Sequence, residues 1–228
     1  MTGLRERKKQ RTRDALIRAA HELVVAQGYD DTTVDRIAEA VDVSQRTFFR
    51  YFSSKEEVAF ALQDETESRF YEAVLERPGH EAPLRALRNA LDSTWDSIGE
   101  AIAEVVPISL YMHMWQVIET TPALLAVHMR RSTEMEERLA EVFARRENLP
   151  PSDPRPRVLT ASFSGVMRAA GRRWGESGDT TVEAARRTTE AYLDLMAPAL
   201  SDDWSLPPAP AEGPPPGSGG RASGPRIR

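Results

Sequence analysis

The chain has 228 residues, 40% of them hydrophobic, with 30 Lys and Arg against 35 Asp and Glu for a net charge of −5, enough for a buried core in one or two domains. Cysteine is absent, which excludes a disulfide scaffold, a thiolate metal site and a Cys nucleophile, and a reducing cytoplasm is the expected location. Arg11, Arg13 and Asp14 interrupt the N-terminus before a signal-peptide core develops, and the longest uncharged apolar-rich stretch, 105–118, falls short of the ~20 residues a membrane span needs.

The first element is a basic arm. Residues 1–13 hold six Lys and Arg against Glu6 alone. Residues 1–55 carry 11 Lys and Arg against 8 acids, and the remainder carries 19 against 27. A basic front end on an acidic body suits a phosphate-binding domain attached to something that need not touch nucleic acid.

A helix ending at Gly28 comes next, followed by two short helices joined by a tight turn. Val34, Ile37, Ala38 and Val41 stand at i, i+3, i+4 and i+7, one buried stripe with Thr33 as its N-cap. Asp42 and Val43 break the period, Ser44 caps the second helix, and Phe48 and Phe52 face the first. Gln45, Arg46 and Thr47 are left on an exposed first turn. In a helix-turn-helix that turn meets base edges in the major groove, where Arg matches guanine and Gln matches adenine. Arg36 and Arg50 are further candidates for DNA contact, with ordinary solvation as the alternative for each.

The run ALIRAAHELVVAQGYDDTTVDRIAEAVDVSQRTFFRYFSSKEEV resembles the DNA-binding domain of the TetR family of transcriptional regulators over residues 10–62. The resemblance assigns Gln45, Arg46 and Thr47 to base contacts, places Thr33, Tyr51 and Lys55 on phosphates, and makes Phe48 and Phe52 core. The family usually has Gly where this chain has Asp42, which tolerates a left-handed backbone better than most residues. It often has Tyr or His where this chain has Phe49, which has no hydroxyl to bond a phosphate. Lys55 opens a further helix, capped by Ser53 or Ser54, whose free N–H groups suit a phosphate.

Beyond Lys55 the pattern is helical throughout, without an alternating strand. One helix ends before Pro78-Gly79. A long buried one, marked by Leu84, Leu87, Leu91, Trp95, Ile98, Ile102 and Val105, is ended by Pro107. Segments 108–119 and 123–148 follow, then a Pro-rich linker over 149–156, then helices over 157–174 and 181–200. Residues 201–228 contain seven Pro and five Gly and are expected to be disordered. The fold class expected is all-α: a helix-turn-helix domain over 1–55, a larger helical domain over 56–200, and the tail.

The body is similar to the subgroup whose C-terminal domain binds acyl-CoA-like ligands, through MWQVIETTPALLAVHMRR and LAEVFARRENL. Met112, Met114, Met129 and Met135 with Trp95, Trp115 and Phe163 suit an adaptable apolar cavity, with plain core packing as the alternative. The expected effector-pocket residues are Trp95, Tyr111, Met112, Trp115, His128, Phe163 and Met167. His113 and His128 read as pocket lining or packing rather than metal ligands, and neither a cofactor nor a catalytic motif is expected. Small residues on the last two helices, including Phe163-flanking Gly165, Val166, Ala169 and Ala170 and, on the other, Ala184, Ala185, Thr188, Ala191, Tyr192 and Leu195, mark a dimer surface, which the resemblance implies is a four-helix bundle. The resulting expectation is a cytoplasmic homodimeric repressor released from a palindromic double-stranded DNA operator by a small apolar or acyl-type effector. A ligand-independent activator or architectural DNA binder and a helical adaptor protein remain open alternatives.

Overall fold

The computed structural model describes residues 3–199, so the tail over 201–228 lies outside the described residues. The described elements are all helices: α1 (Leu4–Gln27), α2 (Val34–Ala40), α3 (Gln45–Phe48), α4 (Lys55–Leu75), α5 (Pro83–Ala103), α6 (Ile108–Thr120), α7 (Pro122–Arg146), α8 (Arg155–Gly175) and α9 (Val182–Ala199).

Local chemistry sets their ends. Gly28 closes α1 at φ 90°, its N–H bonded to the Val24 carbonyl at 2.9 Å. The hydroxyls of Thr33, Ser44 and Ser54 each accept a backbone N–H three residues on, from Arg36, Thr47 and Glu57, satisfying donors that the first turn of a helix leaves free. Of the two candidate caps for α4, Ser54 is the one used, while Ser53 bonds the Glu57 carboxylate at 2.6 Å through its hydroxyl. Prolines begin the body helices: Pro83, Pro122 and Pro156 lie in first turns and Pro107 caps α6, positions where a missing N–H costs nothing.

Three boundaries differ from the sequence expectation. Helix α5 stops at Ala103, because the Val105 and Val106 N–H groups both turn onto the Ile102 carbonyl before Pro107. Helix α8 starts at Arg155, drawing Pro156 out of the linker into the first turn. Helix α3 is a single turn: past Phe48 the chain tightens, with Tyr51 N–H on the Phe48 carbonyl at 2.8 Å, so Tyr51 sits in a turn and not in the helix.

The apolar core does not divide at residue 55. Leu16, Ile17, Ile37, Phe48 and Phe52 of the head join Val58, Ala61 and Leu62 of α4 and then Ile102, Val106, Met112 and Trp174 of the body in one buried cluster. A second seam sets Val24 and Tyr29 against Phe60, Met114, Ile118 and Leu124. Arg18 of α1 adds a hydrogen bond from Nη2 to the Val105 carbonyl at 2.6 Å. With each buried large apolar side chain worth ~1.5–3 kcal/mol, this interface holds the head on the body through α4 and α6.

Candidate nucleic-acid interface and body cavity

The head presents Gln45, Arg46 and Thr47 on one exposed turn, held from beneath by Phe48, which is fully buried and tilted against Phe52 at 5.9 Å between ring centroids. The turn before it is a complete left-handed helix stop. Asp42 has φ 54°, its N–H bonds the Glu39 carbonyl at 3.0 Å, and the Val43 N–H reaches back to the Ala38 carbonyl at 3.0 Å.

The candidate DNA contacts are not equally free. Arg46 is exposed and makes no hydrogen bond or ion pair among the described residues. Gln45 donates its side-chain amide to the Asp35 carboxylate, so binding a base means exchanging that partner. The Ser44 and Thr47 hydroxyls bond each other at 3.0 Å. Arg36 is tied back to Gln27 Oε1 at 2.9 Å and to the Asp31 carbonyl at 3.3 Å. Lys55 places Nζ 2.7 Å from the Tyr29 carbonyl and 3.9 Å from the centre of the Tyr29 ring, an anchoring role that the spacing alone did not indicate. Arg50 is exposed and lies over the Tyr51 ring at 5.3 Å. Phe49 is 52% exposed and edge-on to Phe48.

In the body, α4, α5, α6, α7 and α8 enclose a cavity of about 140 Å³. Trp95, Trp115, His128, Phe163 and Met167 lie on its wall, as do Phe70, Leu91, Ile98, Met135 and Leu139. Phe70 and Phe163 stack in parallel at 6.0 Å.

Tyr111 and Met112 are not on that wall. Tyr111 is buried behind it, its hydroxyl 3.3 Å from that of Thr66 and its ring edge-on to Trp115 at 6.0 Å, and Met112 joins the head-to-body core. They precede Trp115 by about one turn, but Tyr111 turns its hydroxyl to Thr66 of α4 and Met112 packs into the core that joins head and body. Met114 faces the same seam, and Met129 is 51% exposed. His113 is exposed and bonds the Ser109 carbonyl, away from His128, and no group of three or more His, Asp or Glu is placed for a metal ion among the described residues.

The sequence did not single out the polar part of the wall: Gln63, Glu67, Glu119 and Arg168. Gln63 is 4% exposed on a helix whose polar residues otherwise read as a solvated face. Its amide approaches His128 Nδ1 at 3.3 Å, and His128 Nε2 stands 3.6 Å from Glu119 Oε1. Burial, with Arg168 and Arg131 nearby, lowers His128 to about 4, so the ring is neutral near pH 7. Burial likewise raises Glu119, and it raises Glu67 to about 7, helped by Asp64 and opposed by Arg131 and Arg138.

Helices α8 and α9 pack on each other, and this changes which small residues are available to a partner. Phe163, Ala170, Ala184 and Ala185 are buried within the chain, so they serve the α8–α9 contact and the cavity rather than an outer surface. Val158, 64% exposed, and Leu195, 47% exposed, remain outside with Ala161 and Ala191.

Comparison with known proteins agrees with this architecture. A family profile described as "Bacterial regulatory proteins, tetR family" matches residues 16–62, and one described as "MftR C-terminal domain" matches residues 81–201. The HTH-type transcriptional regulator TcmR of Streptomyces glaucescens is 46% identical over 208 residues, 91% of this chain and 92% of that protein. A protein named as a mycofactocin biosynthesis transcriptional regulator, MftR of Mycobacterium tuberculosis, is 30% identical over 171 residues, 74% of this chain and 82% of that protein. The crystal structure of NalD, the secondary repressor of the MexAB-OprM multidrug efflux pump in Pseudomonas aeruginosa, covers 87% of this chain and 100% of its own at a TM-score of 0.52 and 20% identity, which shows a shared fold alone. With a helix-turn-helix head, an MftR-type body and near full-length likeness to a known regulator, the chain belongs to the TetR family of bacterial transcriptional regulators.

Proposed function

We propose that the protein is a homodimeric repressor that leaves a palindromic operator when a small, largely apolar molecule enters the body cavity. The observation that carries this reading is the position of α4. Its first turns, through Val58, Ala61 and Leu62, belong to the core of the head, and its next turns, through Gln63, Thr66, Glu67 and Phe70, form one wall of the cavity. A void of about 140 Å³ has room for one benzene-sized ring. A larger molecule has to move a wall, and α4 is the wall that carries the head.

Two reading turns must sit about 34–36 Å apart to engage successive major grooves on one face of DNA, so a dimer is required, and exposed Val158 and Leu195 on α8 and α9 are suited to its interface. On each head Arg46 is the principal base-reading residue, with Gln45 and Thr47 beside it; Thr33, Ser44, Tyr51, Arg36, Arg50 and Lys55 serve the backbone or hold the reading turn. The ligand acts only through its preference for the pose in which the heads no longer match that spacing.

The test is to select bound fragments from random DNA, identify by native mass spectrometry any molecule the purified protein carries, and titrate that molecule into a gel shift. The expected result is a two-fold symmetric site, bound by two chains and released by the molecule. Binding as a monomer, or an operator complex indifferent to a molecule that occupies the cavity, would overturn the proposal.

A further inference from the structure

The cavity wall holds two carboxyls without hydrogen bonds among the described residues, and this bears on the chemistry of what it accepts. Glu119, on α6, has a side chain only 5% exposed, and its nearest titratable partner, His128 Nε2, stops at 3.6 Å, beyond hydrogen-bond distance. The Trp115 N–H lies close to the same carboxyl without an aligned hydrogen bond, and the nearby cation, Arg172, is exposed to solvent and forms no ion pair with it among the described residues. His128 is neutral near pH 7 and brings Glu119 no charge.

Glu67, on α4, makes no hydrogen bond among the described residues and lies between the cavity and an open surface pocket that it shares with Asp64, Arg131 and Arg138. The cations around it are committed elsewhere. Arg131 is paired with Asp64 and stacked on Phe60 at 4.7 Å, and Arg138 lies over Tyr71 at 4.0 Å. Arg168, the cation of the wall itself, bonds Glu136 at 2.7 Å and Ser132 at 3.2 Å. A buried carboxyl, Glu119, and a half-buried one, Glu67, thus line a cavity walled largely by aromatic and aliphatic side chains, neither with a hydrogen bond among the described residues, and a buried acceptor left in that state is costly.

Resting on the ligand-release reading above, we infer that the effector carries a hydrogen-bond-donating hydroxyl or ammonium group on an apolar body, received by Glu67 and Glu119, and that the cavity rejects a molecule bringing a carboxylate to the same place. The aromatic residues hold the apolar body, and the carboxyls select the polar end. An anionic group on such a molecule has to remain outside the cavity.

The experiment is calorimetric titration of the full chain with phenol, benzylamine and benzoate, one-ring probes matched to the void. Phenol and benzylamine are expected to bind at least about tenfold more tightly than benzoate. In Glu67→Gln and Glu119→Gln the advantage of benzylamine shrinks and benzoate gains. Benzoate binding as tightly as the other two, or discrimination that survives both substitutions, overturns the inference and leaves ligand release standing; benzoate binding that Arg168→Ala abolishes does so by naming the opposite recognition group. If none of the three binds, the inference falls, and ligand release by a larger molecule that moves α4 is decided by the operator titration described above.

Discussion

The reading head and the cavity lie at two ends of one helix and are built in opposite ways. In the head, recognition residues stand on a single turn, braced by fully buried Phe48 and by caps and a helix stop drawn from the adjoining dozen residues. The cavity draws its wall from five helices, and its centre is a place where packing is left incomplete. The head is therefore braced by local chemistry, whereas the body contains a space whose lining atoms lack packing partners. The difference suits a regulator: the part that reads must hold its shape, and the part that senses must have more than one.

The sharpest way to break this comparison is to truncate one phenylalanine in each region. Phe48→Ala removes a side chain packed on all sides and is expected to cost ~3–5 kcal/mol in urea unfolding. Phe163→Ala enlarges a space that already exists, and should cost at least ~1 kcal/mol less. Equal costs would mean that the wall at Phe163 is as fully packed as the head, and the contrast would fail.

Charge gives the next largest effect. Glu67 is raised by burial to about 7, so in the folded state it resists ionising. Its contribution is fully present below the ordinary carboxyl range, near 4.5, and is lost as pH rises through about 7. Glu67→Gln should therefore be nearly neutral at pH 4 and stabilising at pH 8, by up to ~3 kcal/mol. Thermal unfolding at the two pH values checks this, and a Gln variant that is less stable at pH 8 would show a hidden partner for the carboxylate.

In the head, Arg46→Ala is expected to cost ~1–3 kcal/mol of operator binding and to relax preference at one base pair per half-site. Lys55→Ala should weaken all DNA sequences alike. Because Lys55 also ties the Tyr29 carbonyl and ring to the start of α4, its replacement should in addition lower stability by ~1 kcal/mol. Gel shifts on the selected operator and on scrambled DNA separate the two effects; an Arg46→Ala protein as selective as the parent would remove Arg46 from base reading.

The same contrast explains what could be read in the sequence. The head was legible because its determinants are near neighbours: Thr33 and Ser44 cap, Ile37 and Ala38 are buried, and Asp42 turns left, each within a few residues of what it fixes. Prolines marked the starts of α6, α7 and α8 to within two residues for the same reason. Which face of α6 meets the cavity depends on how α1, α4, α7 and α8 crowd around it. Periodicity grouped Tyr111 and Met112 with Trp115, but the packing around α6 places both in the buried core instead. Glu67 and Glu119 stayed hidden because a carboxylate on a helix ordinarily faces water, and nothing local says that four other helices will close over it.

The smallest effect returns to the turn where this chain departs from the usual pattern of its family. Asp42 occupies a left-handed conformation at φ 54°, closed by the hydrogen bonds from Asp42 and Val43 to Glu39 and Ala38. A side chain there costs ~1–2 kcal/mol relative to glycine, less for Asp, whereas glycine has more freedom to lose on folding, by ~0.5–1 kcal/mol. The two nearly cancel, so Asp42→Gly should stabilise the head by less than ~1 kcal/mol and leave operator selectivity unchanged. A larger gain in unfolding free energy would mean that Asp42 holds real strain in the reading turn. A loss would mean that its carboxylate stabilises the turn through an interaction that glycine cannot supply, and that the head depends on more than its backbone geometry.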